Sequence, residues 1–337
     1  MTTIRDIARE SGYSVSTVSR VLARHPDVAG PTAAAVQAVI DKHHFFVNRN
    51  ARNLKRSATT TILVMIKGRN NMLFASMLER VQTAISGTGY TVAAQYLDED
   101  DNEVAEAERL VPEIKPCGVL FLGGDAGHLA EQTRRIGEEC PAVVLTTSLG
   151  GLGRPAISAV TTDDRAAARL ATEHLITAGH RAIGVIGGNP EHSMMSRHRQ
   201  EGVLTAVRAA GLELDLDTNY AATRYDLRSG YEAARRLTET APGITAIYAM
   251  SDIMALGALR ALHEAGLAVP DDISLIGHDG IELASYTVPR LVTIRQPQQL
   301  MAERGVAILM RHINGDVTPV EEIVDAEIVP GESVRVL

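Results

Sequence analysis

The chain has 337 residues, is 45% apolar and 22% charged, and carries a formal charge of −8. That is a globular composition, long enough for two or three domains of about 100–200 residues each. No apolar run reaches the roughly 18 residues of a membrane helix, the polar start does not read as a secretion signal, and two cysteines, Cys117 and Cys140, make no disulfide framework, so a reducing cytoplasm is the expected home. The charge is uneven. Residues 1–58 hold nine Lys/Arg against four Asp/Glu, or +5, and the rest sum to −13. A basic head on an acidic body suits nucleic acid at one end only.

The first stretch, TTIRDIARESGYSVSTVSRVL, reads as two short helices around a tight turn. Thr3 can cap the first, with Asp6 three residues on. Ile4, Ile7 and Ala8 recur at helical spacing and give it one apolar face. Gly12 ends it, and Ser14 can cap the second helix. Val18, Val21 and Leu22 should pack inward, which leaves Val15, Ser16, Ser19 and Arg20 facing out. Small and hydroxyl side chains with one Arg suit close approach to base edges and phosphates. The alternative is a helical hairpin with no nucleic-acid role. After a turn-rich stretch, Gly30 and Pro31 should open a third helix whose inner face is Val36, Val39 and Ile40.

IRDIARESGYSVSTVSRVL resembles, nearly position by position, the N-terminal signature of the LacI family of bacterial transcription regulators. The resemblance places Val15, Ser16 and Arg20 at base-reading positions, with Ser14, Thr17 and Ser19 as further DNA-contact candidates. FFVNRNARNLKR (45–56) is similar to the family's hinge, which implies a short helix forming on the operator. Asn48, Arg49, Arg52, Leu54 and Lys55 then join the DNA candidates. Leu54 falls where the family wedges a leucine into the minor groove; packing against a neighbour is the ordinary alternative. Val47 stands where the family has Pro, and Ala29, Ala33 and Ala35 stand where its third helix carries a Ser cap and Arg residues. The resemblance therefore does not carry that helix's phosphate contacts over to this chain.

Beyond the polar linker 57–61 the pattern changes. Apolar runs at 62–66, 90–95, 118–122, 142–146, 182–187, 245–250 and 273–277 alternate with amphipathic segments at 74–87, 165–178, 197–210, 229–239 and 252–265. Such alternation predicts parallel sheets with helices on both faces. Two units of this kind suggest two doubly wound lobes about a cleft, and the resemblance implies the same periplasmic-binding-protein-like core with three passages between lobes. Those are expected near 161–163, 291–293 and 319–322. The expected domains are a helix-turn-helix headpiece (1–45), a hinge and linker (46–60) and an effector-binding and dimerisation core (61–337). The N-lobe is expected at about 61–161 and 293–320, the C-lobe at about 162–292 and 321–337.

Ligands of open α/β sheets sit beyond the carboxyl ends of the strands. Asn70, Asn71, Arg199 and Asp279 stand there and can hold vicinal hydroxyls; Phe74 and Tyr225 can cover the apolar face of a ring. RQEGV (199–203) is similar to the family's effector-binding Arg segment, Ser251 matches an effector-contacting position, and SLIGHDGIELASY (274–286) resembles its Gly-aromatic-Asp-Asp motif. There His278 replaces the aromatic and Gly280 the second Asp. Phe74 could equally be core, Asp252 reads as a helix cap, and Arg199 with Asp279 could be an inter-lobe ion pair. No G-x-S-x-G, P-loop or H-E-x-x-H is present, so neither catalysis, metal nor cofactor is expected. The expected function is a DNA-binding regulator, a repressor in type, gated by a small polar effector such as a sugar. It is expected to act as a homodimer on a pseudo-palindromic operator, cytoplasmic, away from membranes and on the nucleoid when DNA-bound. The rival readings are a solute-binding protein serving a transporter and a hydrolase or kinase on an α/β frame.

Overall fold

A computed structural model of the chain describes residues 4–22, 28–43, 59–129, 136, 140–150, 157–316 and 318–337. It divides into two compact units, Met1–Thr59 and Thr60–Leu337.

In the first unit, α1 (Ile4–Ser11), α2 (Val15–Leu22) and α3 (Gly30–Lys42) enclose a small core. Ile7, Ala8, Val18, Val21, Val36 and Ile40 are its buried members. Ser14 caps α2: its hydroxyl oxygen accepts from the Thr17 N–H at 3.1 Å, and its carbonyl accepts from Val18 N–H at 3.0 Å. Glu10 at the end of α1 pairs with Lys42 at 2.7 Å and His43 at 2.6 Å, fastening α1 to the end of α3.

The second unit holds two six-stranded sheets. The first contains β1 (Thr61–Lys67), β2 (Thr91–Leu97), β3 (Gly118–Leu122), β4 (Ala142–Leu145), β5 (Ser158–Thr162) and β11 (Glu321–Val324), in the order β11-β5-β4-β3-β1-β2 and parallel throughout. The second contains β6 (Ile183–Gly187), β7 (Tyr220–Ala222), β8 (Ala246–Ala249), β9 (Ser274–Asp279), β10 (Val292–Arg295) and β12 (Glu327–Val329), in the order β12-β10-β9-β8-β6-β7. Only β12 runs antiparallel to its neighbour. Each sheet reverses strand order next to its first strand, the switch point at which doubly wound folds bind ligands.

The helices that position the site are α4 (Met72–Ile85), α5 (Glu103–Ile114), α6 (Asp164–Thr177), α7 (Met194–Ala209), α8 (Leu227–Thr240), α9 (Asp252–Glu264) and α10 (Gln298–Ile313). The first sheet is apolar on both faces. Ile62, Val64, Leu120 and Leu145 share a cluster with α4 and α10, while Leu63, Met65, Val119 and Phe121 share one with α5. A sheet buried on both faces needs unbroken apolar strands, which is why its central strands read as runs rather than alternations.

The passages between lobes follow from sheet membership. The first is at Thr162–Asp163, where β5 ends and Asp163 caps α6, its Oδ1 accepting from Arg165 and Ala166 N–H at 3.0 Å each. The expected second and third boundaries, 293 and 321, need correction. Val292–Arg295 pairs in the second sheet, so the chain leaves that lobe after it, at Gln296–Pro297. Glu321–Val324 pairs with β5 in the first sheet, so the return comes at Asp325–Ala326. Both strands lie at or next to a sheet edge, where polar residues such as Glu321 and Arg295 blur the apolar signal.

Candidate functional site

A cleft of about 450 Å³ lies between the lobes, at the carboxyl ends of their strands. The first lobe contributes Lys67, Asn71, Phe74, the Gly123–Asp125 turn and Thr146–Thr147; the second contributes Gly188, Asn189, Arg199, Tyr225, Asp279 and Gln296 among others.

Arg199 on α7 is buried, with only 2% of its surface exposed. Its Nε donates to Asp164 Oδ1 at 2.8 Å, and Nη1 donates to the Met250 carbonyl at the end of β8. Burial opposes the charge, but Asp164 and the surrounding acidic groups hold the guanidinium above its ordinary pKa. Asp279 ends β9 in the left-handed region, at φ 115°. Its Oδ1 accepts from Gln296 Nε2 at 2.9 Å. Burial pushes its carboxyl up to about 7, against the pull of Arg199 and Gln296. Arg199 and Asp279 stand on the same lobe, and Arg199's carboxylate partner is Asp164, so they do not form an inter-lobe ion pair.

The two aromatic candidates are seated alike. A Cβ on Gly123, after β3, would lie 2.7 Å from Cζ of Phe74; one on Gly188, after β6, would lie 2.6 Å from Cε2 of Tyr225. Each ring therefore rests on bare backbone that only glycine provides. The Tyr225 hydroxyl is 3.0 Å from Ser196 Oγ, and burial raises its pKa.

The other candidates divide between the cleft and its surroundings. Asn71 lines the cleft while its side chain caps α4, accepting from Leu73 N–H at 3.0 Å. Asn70 lines a neighbouring outer groove instead. Ser251 does not line the cleft: it is buried and caps α9, its hydroxyl accepting from Met254 N–H at 3.3 Å. Asp252 is not the cap but the first residue of α9. It accepts from the Thr293 hydroxyl at 2.5 Å and Ile281 N–H at 2.8 Å, bracing the turn after Asp279. Burial, then Asp279, holds its pKa well above the ordinary value. His278 faces the interior, its Nδ1 2.8 Å from the Tyr248 hydroxyl, and burial keeps it neutral. Gly280 has φ 66°, and a Cβ there would stand 2.6 Å from Arg295 Cβ, which accounts for glycine at that place.

Sequence reasoning missed Lys67, Asp125 and Gln296. Lys67 donates to the buried Glu103 at 2.7 Å, and the other Glu103 oxygen accepts from Asp125 N–H at 2.6 Å, which sets the turn beneath the Phe74 ring. The signal available was position: Lys67 ends β1, and Gln296 directly follows β10.

Of the DNA candidates, Ser14, Val15 and Arg20 are exposed and Thr17 is half-buried, while Ser16 and Ser19 lie within α2. Asn48, Arg49, Arg52, Leu54 and Lys55 lie outside the described residues.

Residues 3–48 match the family described as bacterial regulatory proteins, lacI family, and residues 172–334 match the periplasmic binding protein-like domain. The regulator MalR of Clostridium butyricum is 34% identical over 98% of each chain. The chain belongs to the LacI family. Among solved structures, the transcriptional regulator CelR in complex with cellobiose is 27% identical, with a TM-score of 0.72 over 99% of this chain and 100% of that one. The lac repressor dimer bound to operator and an anti-inducer shares the fold at 23% identity, with a TM-score of 0.81 over 99% of each chain. As a LacI-family protein the chain is a DNA-binding transcriptional regulator rather than an enzyme, and the transporter-serving alternative is set aside because the matched headpiece has no place in it. Among the described residues no helix is long and apolar enough to cross a membrane.

Proposed function

We propose that this LacI-family regulator is a homodimeric repressor in the cytoplasm, on the nucleoid when DNA-bound, whose hold on a pseudo-palindromic operator is set by an uncharged sugar in the inter-lobe cleft. The observation that carries the effector class is the charge state of the wall. Among the described residues, each of the three Lys/Arg side chains that line it is already held by a carboxylate: Lys67 by Glu103, Arg199 by Asp164, and Arg224 by Asp98 and Asp100. Meanwhile Glu99, Asp100, Asp125 and Asp279 line the same space. Among the described residues a phosphate or carboxylate would meet acidic neighbours and no uncommitted Lys or Arg. Hydroxyl groups find the amides of Asn189 and Gln296 and the Asp279 carboxyl, and the C–H face of a pyranose finds Phe74 and Tyr225. Cellobiose in the CelR complex is a precedent from a relative.

Val15, Ser16 and Arg20 read bases in the major groove, and Ser14, Thr17 and Ser19 support them. Asn48, Arg49, Arg52, Leu54 and Lys55 form the hinge contact. The exposed Leu283, Tyr286 and Val288 give the core an apolar surface suited to a two-fold partner. Ligand closes the lobes, and the closed core changes the spacing of the two headpieces. The test selects binders from a random duplex pool, then titrates cellobiose, maltose, ribose and glucose 6-phosphate against the selected duplex. A palindromic winner whose affinity responds to a neutral sugar and ignores the phosphate is expected. No enriched duplex would end the regulatory reading, and a response confined to the phosphate would end the neutral-sugar reading.

A further inference from the structure

At the mouth of the cleft the two lobes are joined by a charged bridge. In the first lobe, β2 runs into Asp98, Glu99 and Asp100; in the second, β7 is followed shortly by Arg224 and Tyr225. Arg224 Nη2 donates to Asp98 Oδ1 at 2.5 Å, Nη1 donates to Asp100 Oδ2, and Nε lies 3.6 Å from Glu99 Oε2. The same Glu99 oxygen accepts from the Tyr225 N–H at 3.3 Å. The bridge is a wall with two sides. Glu99, Asp100 and Arg224 line the cleft, and Asp98, Glu99 and Arg224 line the outer groove with Asn70 and Leu227.

We propose that Arg224 and the Asp98–Asp100 turn form an electrostatic latch that holds the lobes closed and sets Tyr225 in place for the ligand. All three carboxylates belong to one lobe and the guanidinium to the other, so opening breaks every contact at once. Glu99 acts as a positioning residue. It reaches across the gap to the backbone of Tyr225, whose ring is one wall of the site, so this backbone anchor, unlike the ring's seat on Gly188 and Ser196, exists only in the closed state. An isolated exposed ion pair moves an equilibrium by about fivefold at most, but three acids on one guanidinium form a network. That network can tip an open–closed equilibrium that is balanced to within about tenfold. Arg224 is 45% exposed, so dissolved salt reaches the latch and weakens it. Closure then depends on ionic strength even when the ligand carries no charge.

The test reads the lobes directly, on the full chain without ligand. Spin labels are placed at Glu113→Cys in the first lobe and Glu239→Cys in the second, in a Cys117→Ser background, and the inter-label distance is measured by pulsed electron resonance. The unmodified latch is expected to give short and long distances together at low salt, the short favoured, and the balance is expected to move to the long distance at about 0.5 M salt. Arg224→Gln is expected to give the longer distances at both salt levels, and Arg224→Glu longer still. Combining Arg224→Glu with Asp98→Arg and Asp100→Arg is expected to restore the short population. Unchanged distances in Arg224→Gln and Arg224→Glu would overturn the latch, as would opening that the swapped charges fail to reverse. Because no DNA or sugar enters the measurement, its failure would leave the proposed function standing.

Discussion

Gln296 and Asp279 meet through one amide: Nε2 of Gln296 donates to Asp279 Oδ1 at 2.9 Å, while its Oε1 accepts from the Thr162 hydroxyl at 3.3 Å. Thr162 ends the strand before the first inter-lobe passage, and Gln296 begins the second. A single buried side chain at the second passage thus ties a cleft carboxyl to the end of β5 at the first. Gln296→Leu keeps the volume and removes both bonds, leaving Asp279 and Thr162 short of a partner. We expect a loss of about 1–3 kcal/mol in urea unfolding. Operator affinity without ligand should hold while the response to ligand flattens. A full response in this variant would detach Gln296 from the coupling.

Asp279 makes stability depend on pH. Its folded pKa of about 7 lies above the ordinary 3.8. The folded state therefore keeps a proton that the unfolded state releases. Its contribution is fully present below about pH 3.8 and is lost as pH rises through about 7. The difference amounts to about 4 kcal/mol at most. Asp279→Asn carries no such proton, so its stability should gain on the parent's as pH rises from 4 to 8, measured by urea titration at each pH. Parallel stability curves for the two proteins would show that the carboxyl titrates normally.

How much of this was legible beforehand depended on burial. Strands β1, β3, β6, β8 and β9 sit inside their sheets, so their runs are apolar on both faces and stand out in the sequence. Of the edge strands only β2 shows as a run; Tyr220–Ala222 has three residues, and Glu321–Val324 begins with two acids because one side faces water. Arg199 and Asp279 were legible because each matches a family motif near a strand end. Lys67, Gln296 and Arg224 were not. Their roles come from partners on other elements, at Glu103, Asp279 and Asp98, and no local pattern encodes such meetings.

The seating of the aromatic rings can be tested at the glycine beneath one of them. A Cβ on Gly188 would stand 2.6 Å from Tyr225 Cε2 and closer still to Ser196 Oγ. Gly188→Ala must push the ring into the cleft or break the contact between Tyr225 and Ser196. A stability cost of about 1–3 kcal/mol is expected, as for other overpacked sites. Binding of the sugar that responds in the operator assay should fall at least about tenfold by calorimetry. Wild-type affinity would mean that Tyr225 does not touch the ligand.

The headpiece prediction separates reading from attraction. Arg20 is exposed on α2, at the end of the helix that Ser14 caps, and a guanidinium there can take a guanine by two hydrogen bonds. Arg20→Ala should cost about 1–3 kcal/mol on the selected duplex and relax preference at one base position in each half-site. Lys55→Ala should act otherwise. A phosphate contact carries no sequence information, so affinity should fall alike on selected and scrambled duplexes. The slope of log affinity against log salt should flatten by about one for each subunit's lost contact. Fluorescence anisotropy across a salt series gives both quantities from one set of titrations. If Arg20→Ala weakened all duplexes equally, Arg20 would be a phosphate contact and base reading would rest on Val15 and Ser16.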